Sequence, residues 1–207
     1  MFNPDYNNIV LSAKNVEVQR TPLYDHIVAD EIIEKITGKP LANMNGNEND
    51  RNEYFKDYTL FFKNMGYDAV SFEAIITKYL IGGGSLYGHA PSTIKDRTDF
   101  DKYPWGEVIE NFKRKAGLLF SSLRKNLPLG MKAIGGVGNG IFEIVQDLVG
   151  YEKLCYISYD DPELYADLFK KTAELMYSIW SWFLPNFKDV FCVCRFGDDL
   201  GYKVGTL

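Results

Sequence analysis

Apolar residues along this chain alternate between two spacings, and this alternation restricts the fold more than any other feature of the sequence. Short β-compatible segments are separated by long segments whose apolar residues recur three and four positions apart. The short segments are Arg20–Val28, Tyr67–Thr77, Leu129–Gly140 and Val190–Cys194. Strands that alternate with helices typically form right-handed βαβ units and a parallel sheet. The sequence therefore predicts an α/β fold with four parallel strands and helices on their outer side.

Residues typical of helix ends bound the helical segments. Gly38 and Gly66 follow two of them as stop signals, and Asp161 with Pro162 begins a long one. The helical segments are residues 29–39, 47–66, 106–128, 141–150 and 161–187. Residues 81–105 lack a regular pattern, and irregular segments of this length are usually lids or binding loops. We expect this segment to lie over the carboxyl ends of the strands.

Composition and charge exclude several classes of partner. The 207 residues carry a net charge of −5 without a basic block, which does not favour nucleic acid or an anionic membrane surface. No apolar stretch is long enough to span a bilayer, and the N-terminal residues do not form a targeting signal. Three cysteines do not suggest a disulfide framework. We expect a single cytoplasmic domain, residues 1–207, whose partner is a small molecule.

Two further patterns have a structural and a functional interpretation. Gly135–Gly140, with the sequence GGVGNG, lacks the G-x-G-x-x-G spacing of a dinucleotide site and the G-K-[ST] of a phosphate-binding loop. A tight strand-to-helix turn is favoured, with a helix N-terminus that can hold an anion such as a carboxylate. Cys192 and Cys194 face one side of a strand, and no third ligand lies nearby. We therefore predict no metal site and expect these thiols to pack as small apolar groups.

Acidic residues and a histidine follow the predicted strands and form the candidate catalytic site. His26 ends the first strand, Glu73 lies at the exit of the second, and Asp198 follows the last. In a parallel α/β barrel the carboxyl ends of all strands open on one face, so these three side chains are expected to converge. Such convergence can raise the pKa of a carboxylate and prepare it for acid–base chemistry. Each residue alone is equally typical of a helix cap or a solvated loop.

Four segments, in this order along the chain, resemble the uroporphyrinogen decarboxylase superfamily. They are RTPLYDHIVADEIIEKITG, MGYDAVSFE, GNGIFEIVQDLVGYEKLCYISYDDPELYADLFKKTAELM and FGDDLGYKVGTL. The superfamily contains uroporphyrinogen decarboxylases and cobalamin-dependent methyltransferases that pass a methyl group to a thiol. Its fold is a (β/α)8 TIM barrel. The resemblance implies that residues 1–207 form the first half of such a barrel and end after its fourth strand.

The resemblance leaves the branch of the superfamily open. Uroporphyrinogen decarboxylases carry an arginine-rich R-Q-A-G-R element after the first strand, whereas this chain has PLYDHIV there and no arginine after Arg20. A substrate with many carboxylates needs such arginines. On the other hand, Glu73 takes the position of the decarboxylase aspartate that stabilises a protonated pyrrole. The forms RTPLYDH and GDDLGYK resemble the methyltransferase branch more closely, and that branch is favoured.

Methyl transfer implies components outside this sequence. The zinc ligands of that branch are a His-x-Cys pair and a later cysteine, all beyond the GDDLG segment, so no cofactor is expected within these residues. Zinc there holds the acceptor thiol as a thiolate that attacks a methyl-corrinoid, with a corrinoid protein as the expected partner. The resemblance thus implies an active enzyme as the full-length family member, whereas residues 1–207 alone are expected to be inactive. A third interpretation is an inactive fragment that only binds a ligand. The expected substrate-binding residues are Tyr24, Phe72, Gly138, Asn139, Asp199 and Lys203.

Overall fold

The computed structural model describes residues 2–202 and 205–206, with side chains from residue 2 to residue 201. The α-helices and strands in the described part of the chain are, in order, α1 (Asn7–Ala13), α2 (Asp30–Thr37), α3 (Glu48–Asn64), β1 (Ala69–Ile75), α4 (Arg97–Lys102), α5 (Trp105–Asn126), β2 (Lys132–Gly138), α6 (Ile141–Val149), α7 (Tyr151–Asp160), α8 (Pro162–Phe187), β3 (Phe191–Cys194), β4 (Gly201–Tyr202) and β5 (Gly205–Thr206). A short 3-10 helix, Ile76–Tyr79, directly follows β1. All five predicted helices are present. Helices α1, α4 and α7 lie in segments where the sequence pattern predicts none.

Strands β1, β2 and β3 form one parallel sheet in that order. Ala133 of β2 pairs with Phe191 of β3, and Ile134 pairs with Val193 after a local irregularity in the register. Helix α5 connects β1 to β2, and α6 to α8 connect β2 to β3. The chain is therefore a mixed α/β fold in which helices connect parallel strands, as the alternation of spacings predicts. Strands β4 and β5 pair separately as a short antiparallel sheet.

The prediction of a first strand at Arg20–Val28 is wrong. This segment is irregular, so the described residues supply three strands of the parallel sheet rather than four. Pro22 has no N–H to donate to a neighbouring strand. Leu23 and Ile27 are 48% and 59% exposed, so burial of apolar surface does not favour an extended strand here.

The same segment nevertheless runs beside β1 and is held there by hydrogen bonds from side chains. The hydroxyl of Ser71 donates a hydrogen bond to the backbone carbonyl oxygen of Asp25. The hydroxyl of Tyr67 donates to the carboxylate of Asp25. Side-chain contacts thus take the place of the backbone ladder that the sequence pattern predicts.

The chain folds as two compact units. The first comprises Met1–Ala74, Lys115–Gly136 and Leu184–Arg195, and it contains β3 and all but the last residues of β1 and β2. The second comprises Ile75–Arg114, Val137–Phe183 and Phe196–Leu207.

Aromatic side chains of α3 and α5 cover one face of the sheet in the first unit. Phe72 of β1 packs edge-to-face against Phe55 of α3 and Phe120 of α5, with ring centroids 5.0 Å and 6.0 Å away. All three rings are buried, and burial of a side chain of this size contributes about 2 kcal/mol. The hydroxyl of Tyr58 also donates to the carbonyl oxygen of Ser71 across 2.7 Å. These contacts fix β1 and therefore the direction in which its side chains point.

Helix α1 packs against β3. A small apolar cluster beside it contains Ile9, Ala69, Ile134, Cys192 and Val193. Because side chains of a strand alternate between faces, Ala69 and Glu73 lie on the same face of β1. Glu73 therefore points away from the aromatic core.

Helix ends form where the capping residues predict them. Gly38 follows α2 with a φ of 70°, in the left-handed region that favours glycine. In the second unit, the carboxylate of Asp161 accepts a hydrogen bond from the backbone N–H of Leu164 at 2.9 Å, in the first turn of α8. None of the described helices is both long and apolar enough to cross a membrane.

Residues 81–96 of the second unit are irregular as predicted, whereas α4 occupies most of the remaining segment. The irregular part is bound along the C-terminal end of α6. The backbone N–H of Leu86 donates to Oδ1 of Asp147 at 3.1 Å, and the N–H of Thr93 donates to the carbonyl oxygen of Leu148 at 2.8 Å. The segment is thus anchored on α6, and its role as a lid over the strand ends stays a prediction.

Candidate functional site

Three polar side chains meet at the carboxyl ends of β1 and β3 in the first unit. Glu73 lies near the end of β1, Arg195 directly follows β3, and His26 lies in the irregular segment beside β1. Nη1 of Arg195 donates to Oε1 of Glu73 at 3.2 Å and lies 3.1 Å from Nε2 of His26. Nε2 of His26 is 3.8 Å from Oε2 of Glu73. We refer to His26, Glu73 and Arg195 as the polar cluster.

The side chains of the polar cluster differ in exposure. Glu73 is only 7% exposed, whereas His26 and Arg195 are 40% and 39% exposed. Removing a carboxylate from water is costly unless a donor or an opposite charge faces it, and Nη1 of Arg195 provides both. Nε2 of His26 accepts a hydrogen bond from Arg195 only when it carries no proton, so the neutral imidazole has its proton on Nδ1. The cluster then contains one cation and one anion.

Gly135 of the central strand makes room for the carboxylate of Glu73. Its φ is 121°, and a Cβ atom there would lie 2.5 Å from the carbonyl oxygen of Phe72 and 2.6 Å from Cγ of Glu73. The carbonyl oxygen of Gly135 also accepts a hydrogen bond from the backbone N–H of Arg195 at 2.9 Å. Both the backbone conformation and the close approach require glycine at this position. The glycine run therefore serves the site as well as the turn that follows it.

Tyr24 lies close to the polar cluster, and its side chain interacts with both of the cluster's charges. Burial raises the pKa of its hydroxyl, the charge of Arg195 lowers this pKa, and the charge of Glu73 raises it. The resulting pKa lies above that of an ordinary tyrosine. The residue is 47% exposed. Its expected role in substrate binding stays a prediction.

Phe72 does not line this site, contrary to the prediction. Its ring is buried between α3 and α5, on the face of the sheet opposite to Glu73. Neighbouring residues of a strand point to opposite faces of the sheet, so Phe72 and Glu73 cannot line the same site.

Asp198 lies in the second unit, where its carboxylate caps α6. Oδ2 accepts a hydrogen bond from the N–H of Phe142 at 2.9 Å, and Oδ1 accepts one from the N–H of Glu143 at 3.1 Å. A Cβ atom on Gly140 would lie 1.9 Å from Cγ of Asp198, so this approach requires glycine. The anion expected at this helix N-terminus is thus a carboxylate of the protein itself. Convergence of Asp198 with the polar cluster stays a prediction.

The other predicted binding residues lie at the end of β2, directly after it, or after Asp198. Oδ1 of Asn139 accepts hydrogen bonds from the backbone N–H and the hydroxyl of Thr77 at 3.0 Å and 3.1 Å, so this oxygen supports the turn between β2 and α6. Gly138 is buried at the end of β2, and Asp199 is exposed. Lys203 lies outside the described residues.

The two cysteines of β3 differ in their surroundings. Sγ of Cys192 donates to the carbonyl oxygen of Ala133 at 3.4 Å, and burial raises the pKa of this thiol to about 11. Cys192 packs in the apolar cluster as predicted, whereas Cys194 is exposed. Within the described residues, no three His, Cys, Asp or Glu side chains are grouped so that they could hold a metal ion.

Arg195 is the member of the polar cluster that the sequence pattern did not identify. It directly follows the predicted strand Val190–Cys194, so it lies at the end of a strand, as His26 and Glu73 are predicted to do. A search of strand ends that considers only acidic residues and histidine overlooks it. A search that also considers arginine and lysine at strand ends would find it.

No protein-family model, curated protein or solved structure matches this chain.

Proposed function

We propose that this chain belongs to an enzyme of the uroporphyrinogen decarboxylase superfamily that transfers a methyl group from a methyl-corrinoid to a thiol. The observation that carries the proposal is the polar cluster, because parallel α/β proteins bind ligands at the carboxyl ends of their strands. Three parallel strands connected by helices agree with the first half of a (β/α)8 barrel. Residues 20–28 run beside β1, where a further strand of that barrel would lie.

Methyl transfer to a thiol requires a group that takes up the thiol proton. The sulfur forms a bond to the methyl carbon, and the cobalt–carbon bond breaks with its electron pair left on cobalt. His26 suits the uptake of the proton, because its Nε2 is unprotonated while it accepts the hydrogen bond of Arg195. Protonation would exchange that contact for one with Oε2 of Glu73, 3.8 Å away. Glu73 then stabilises the positive charge on His26.

The residues that bind zinc in the related methyltransferases follow the GDDLG segment, and the described residues of this chain do not offer a group of three ligands. The corrinoid enters as the methyl donor, and a corrinoid protein is the partner that would deliver it.

Decarboxylation of uroporphyrinogen is the second candidate, because the resemblance matches Glu73 to the decarboxylase aspartate. The charges in the first unit weigh against it. Arg195 is paired with Glu73, and Arg20 is paired with Asp68, whose side chain is fully buried. A substrate with many carboxylates needs cations that the protein does not already neutralise. Because each of these two arginines is already paired with a carboxylate of the protein, the charges favour methyl transfer over decarboxylation of such a substrate.

The two reactions are distinguished by incubating the purified full-length enzyme with the substrates of each reaction in turn. Methylcobalamin with mercaptoethanol tests methyl transfer, measured as loss of methylcobalamin and formation of the methyl thioether. Uroporphyrinogen tests decarboxylation, measured by mass spectrometry of the porphyrinogen. The proposal expects the thioether and an unchanged porphyrinogen. Decarboxylated products would establish the second candidate, and binding of methylcobalamin without either product would establish a binding module.

A further inference from the structure

One edge of the Arg195 guanidinium is open to a ligand. Nη1 makes both contacts within the polar cluster, at 3.2 Å to Glu73 and 3.1 Å to His26. Nε and Nη2 have no hydrogen-bond partner among the described residues, and the side chain is 39% exposed. A pair of guanidinium nitrogens such as these binds a carboxylate through two parallel hydrogen bonds.

The protein holds this guanidinium at two points. Its Nη1 is bound to the buried carboxylate of Glu73, and its backbone N–H donates to the carbonyl oxygen of Gly135 at 2.9 Å. Because Glu73 is only 7% exposed, a ligand that arrives from solvent meets Arg195 rather than the carboxylate behind it. A guanidinium that is already held in place loses less conformational entropy when a ligand binds.

We propose that the outer edge of Arg195, formed by Nε and Nη2, binds a carboxylate group of the small-molecule ligand. The inference rests on the proposed function only in taking the polar cluster as a ligand site. The charges of Arg195 and Glu73 cancel, so the site favours a ligand with one carboxylate over one with several. Tyr24 offers a half-exposed phenol beside the cluster for the rest of the ligand.

The test uses the whole chain, labelled with nitrogen-15, and follows the arginine Nε–H resonances during titration with sodium acetate. Sodium chloride keeps the ionic strength constant. The resonance of Arg195 is assigned by its loss in Arg195→Lys. The expected result is a saturable shift of this resonance with acetate and no shift when chloride is exchanged for another inert anion.

Arg124 of the same unit is the matched control. Its side chain is 41% exposed and its Nη2 donates to Asp189 at 2.6 Å, but Asp189 is itself 62% exposed. Its resonance should respond weakly and without saturation. Equal responses of Arg195 and Arg124, or a response of Arg195 that does not saturate, would overturn the proposal.

Arg195→Lys keeps the positive charge and removes the planar pair of donors. Measured through the backbone amide at position 195, acetate should bind roughly tenfold more weakly to this variant than to the native chain. Arg124→Lys should leave the affinity unchanged. Equal affinities of the native chain and Arg195→Lys would refute the subsite. Methyl transfer without acetate binding would refute this inference alone, whereas acetate binding without methyl transfer would refute the proposed reaction alone.

Discussion

Nη1 of Arg195 donates to Oε1 of Glu73 across 3.2 Å, although 122 positions separate the two residues along the chain. Glu73 belongs to β1 and Arg195 follows β3, and β2 lies between these two strands. The contact therefore crosses β2 at Gly135, which has no side chain to block it. The pair links the two outer strands of the sheet at their carboxyl ends, and the proposed site depends on it.

Gly135→Ala should disrupt this contact and lower the free energy of unfolding by about 3 kcal/mol. The added Cβ would lie 2.6 Å from Cγ of Glu73 and 2.5 Å from the carbonyl oxygen of Phe72, and the φ of 121° is unfavourable for an alanine. Urea unfolding of the native and substituted chains measures the difference.

Two other glycines separate the steric cost from the cost of backbone conformation. A Cβ atom at Gly38 or Gly106 would meet nothing within 4 Å among the described residues, and only Gly38, with a φ of 70°, has a positive φ. Gly38→Ala should cost about 1 kcal/mol, and Gly106→Ala in α5 should be neutral or stabilise by up to about 1 kcal/mol. A loss for Gly135→Ala no larger than that for Gly38→Ala would contradict the steric account.

Asp198→Ala should loosen the first turn of α6 and cost about 1 kcal/mol, because two backbone N–H groups lose their acceptor. Hydrogen exchange should quicken at the amides of Phe142 and Glu143, which donate to this carboxylate. Asp199→Ala is the control, since Asp199 is exposed. Exchange at Phe142 and Glu143 that is the same in Asp198→Ala and the native chain would show that the cap is dispensable.

Alkylation with iodoacetamide at neutral pH should modify Cys155 first and Cys192 last. Cys155 is exposed, whereas burial raises the pKa of Cys192 to about 11 and leaves little reactive thiolate. Mass spectrometry of the digested protein gives the order, and all three thiols should react at similar rates in urea. Labelling of Cys192 as fast as Cys155 in the native chain would contradict the packing described for β3.

The free energy of unfolding should fall at alkaline pH. Burial raises the pKa of Cys192 from 9.0 to about 11, and those of Tyr79 and Tyr103 from 10.0 to about 12. Because the folded chain holds these protons to higher pH than the unfolded chain, the stabilisation is complete below about pH 9 and is lost as the pH rises towards about 12. Urea unfolding across this range measures it, and a constant unfolding free energy would show that these groups are not buried.

Helix boundaries could be predicted because the residues that determine them are neighbours in the sequence. Gly38 ends α2 through its own backbone conformation, and Asp161 caps α8 within one turn. Helix α1 was not predicted because a single residue, Ile9, provides its buried contact with the sheet. That contact depends on β1, β2 and β3, which lie far away along the chain.

In the polar cluster, too, features set by residues near in sequence could be predicted, whereas contacts between residues far apart in sequence could not. The approach of His26 to Glu73 could be predicted from their positions near strand ends, although His26 lies in an irregular segment rather than a strand. Arg195 could not be assigned to Glu73 from local pattern, because their contact depends on the order of the strands and on Gly135 between them. The direction of Phe72 follows from simple alternation along β1, which places its ring on the face opposite to Glu73 and away from the expected binding site.

The rate of methyl thioether formation by the full-length enzyme with Glu73→Gln tests the central claim most directly. Glutamine keeps the shape of the side chain and removes the charge that is paired with Arg195 and faces His26. Glu17→Gln is the matched control, because Glu17 is exposed. With the urea-unfolding midpoint confirming that each variant is folded, we predict that Glu73→Gln lowers kcat by roughly 100-fold and that Glu17→Gln leaves it unchanged. Equal kcat values for the native chain and a folded Glu73→Gln variant would contradict the account.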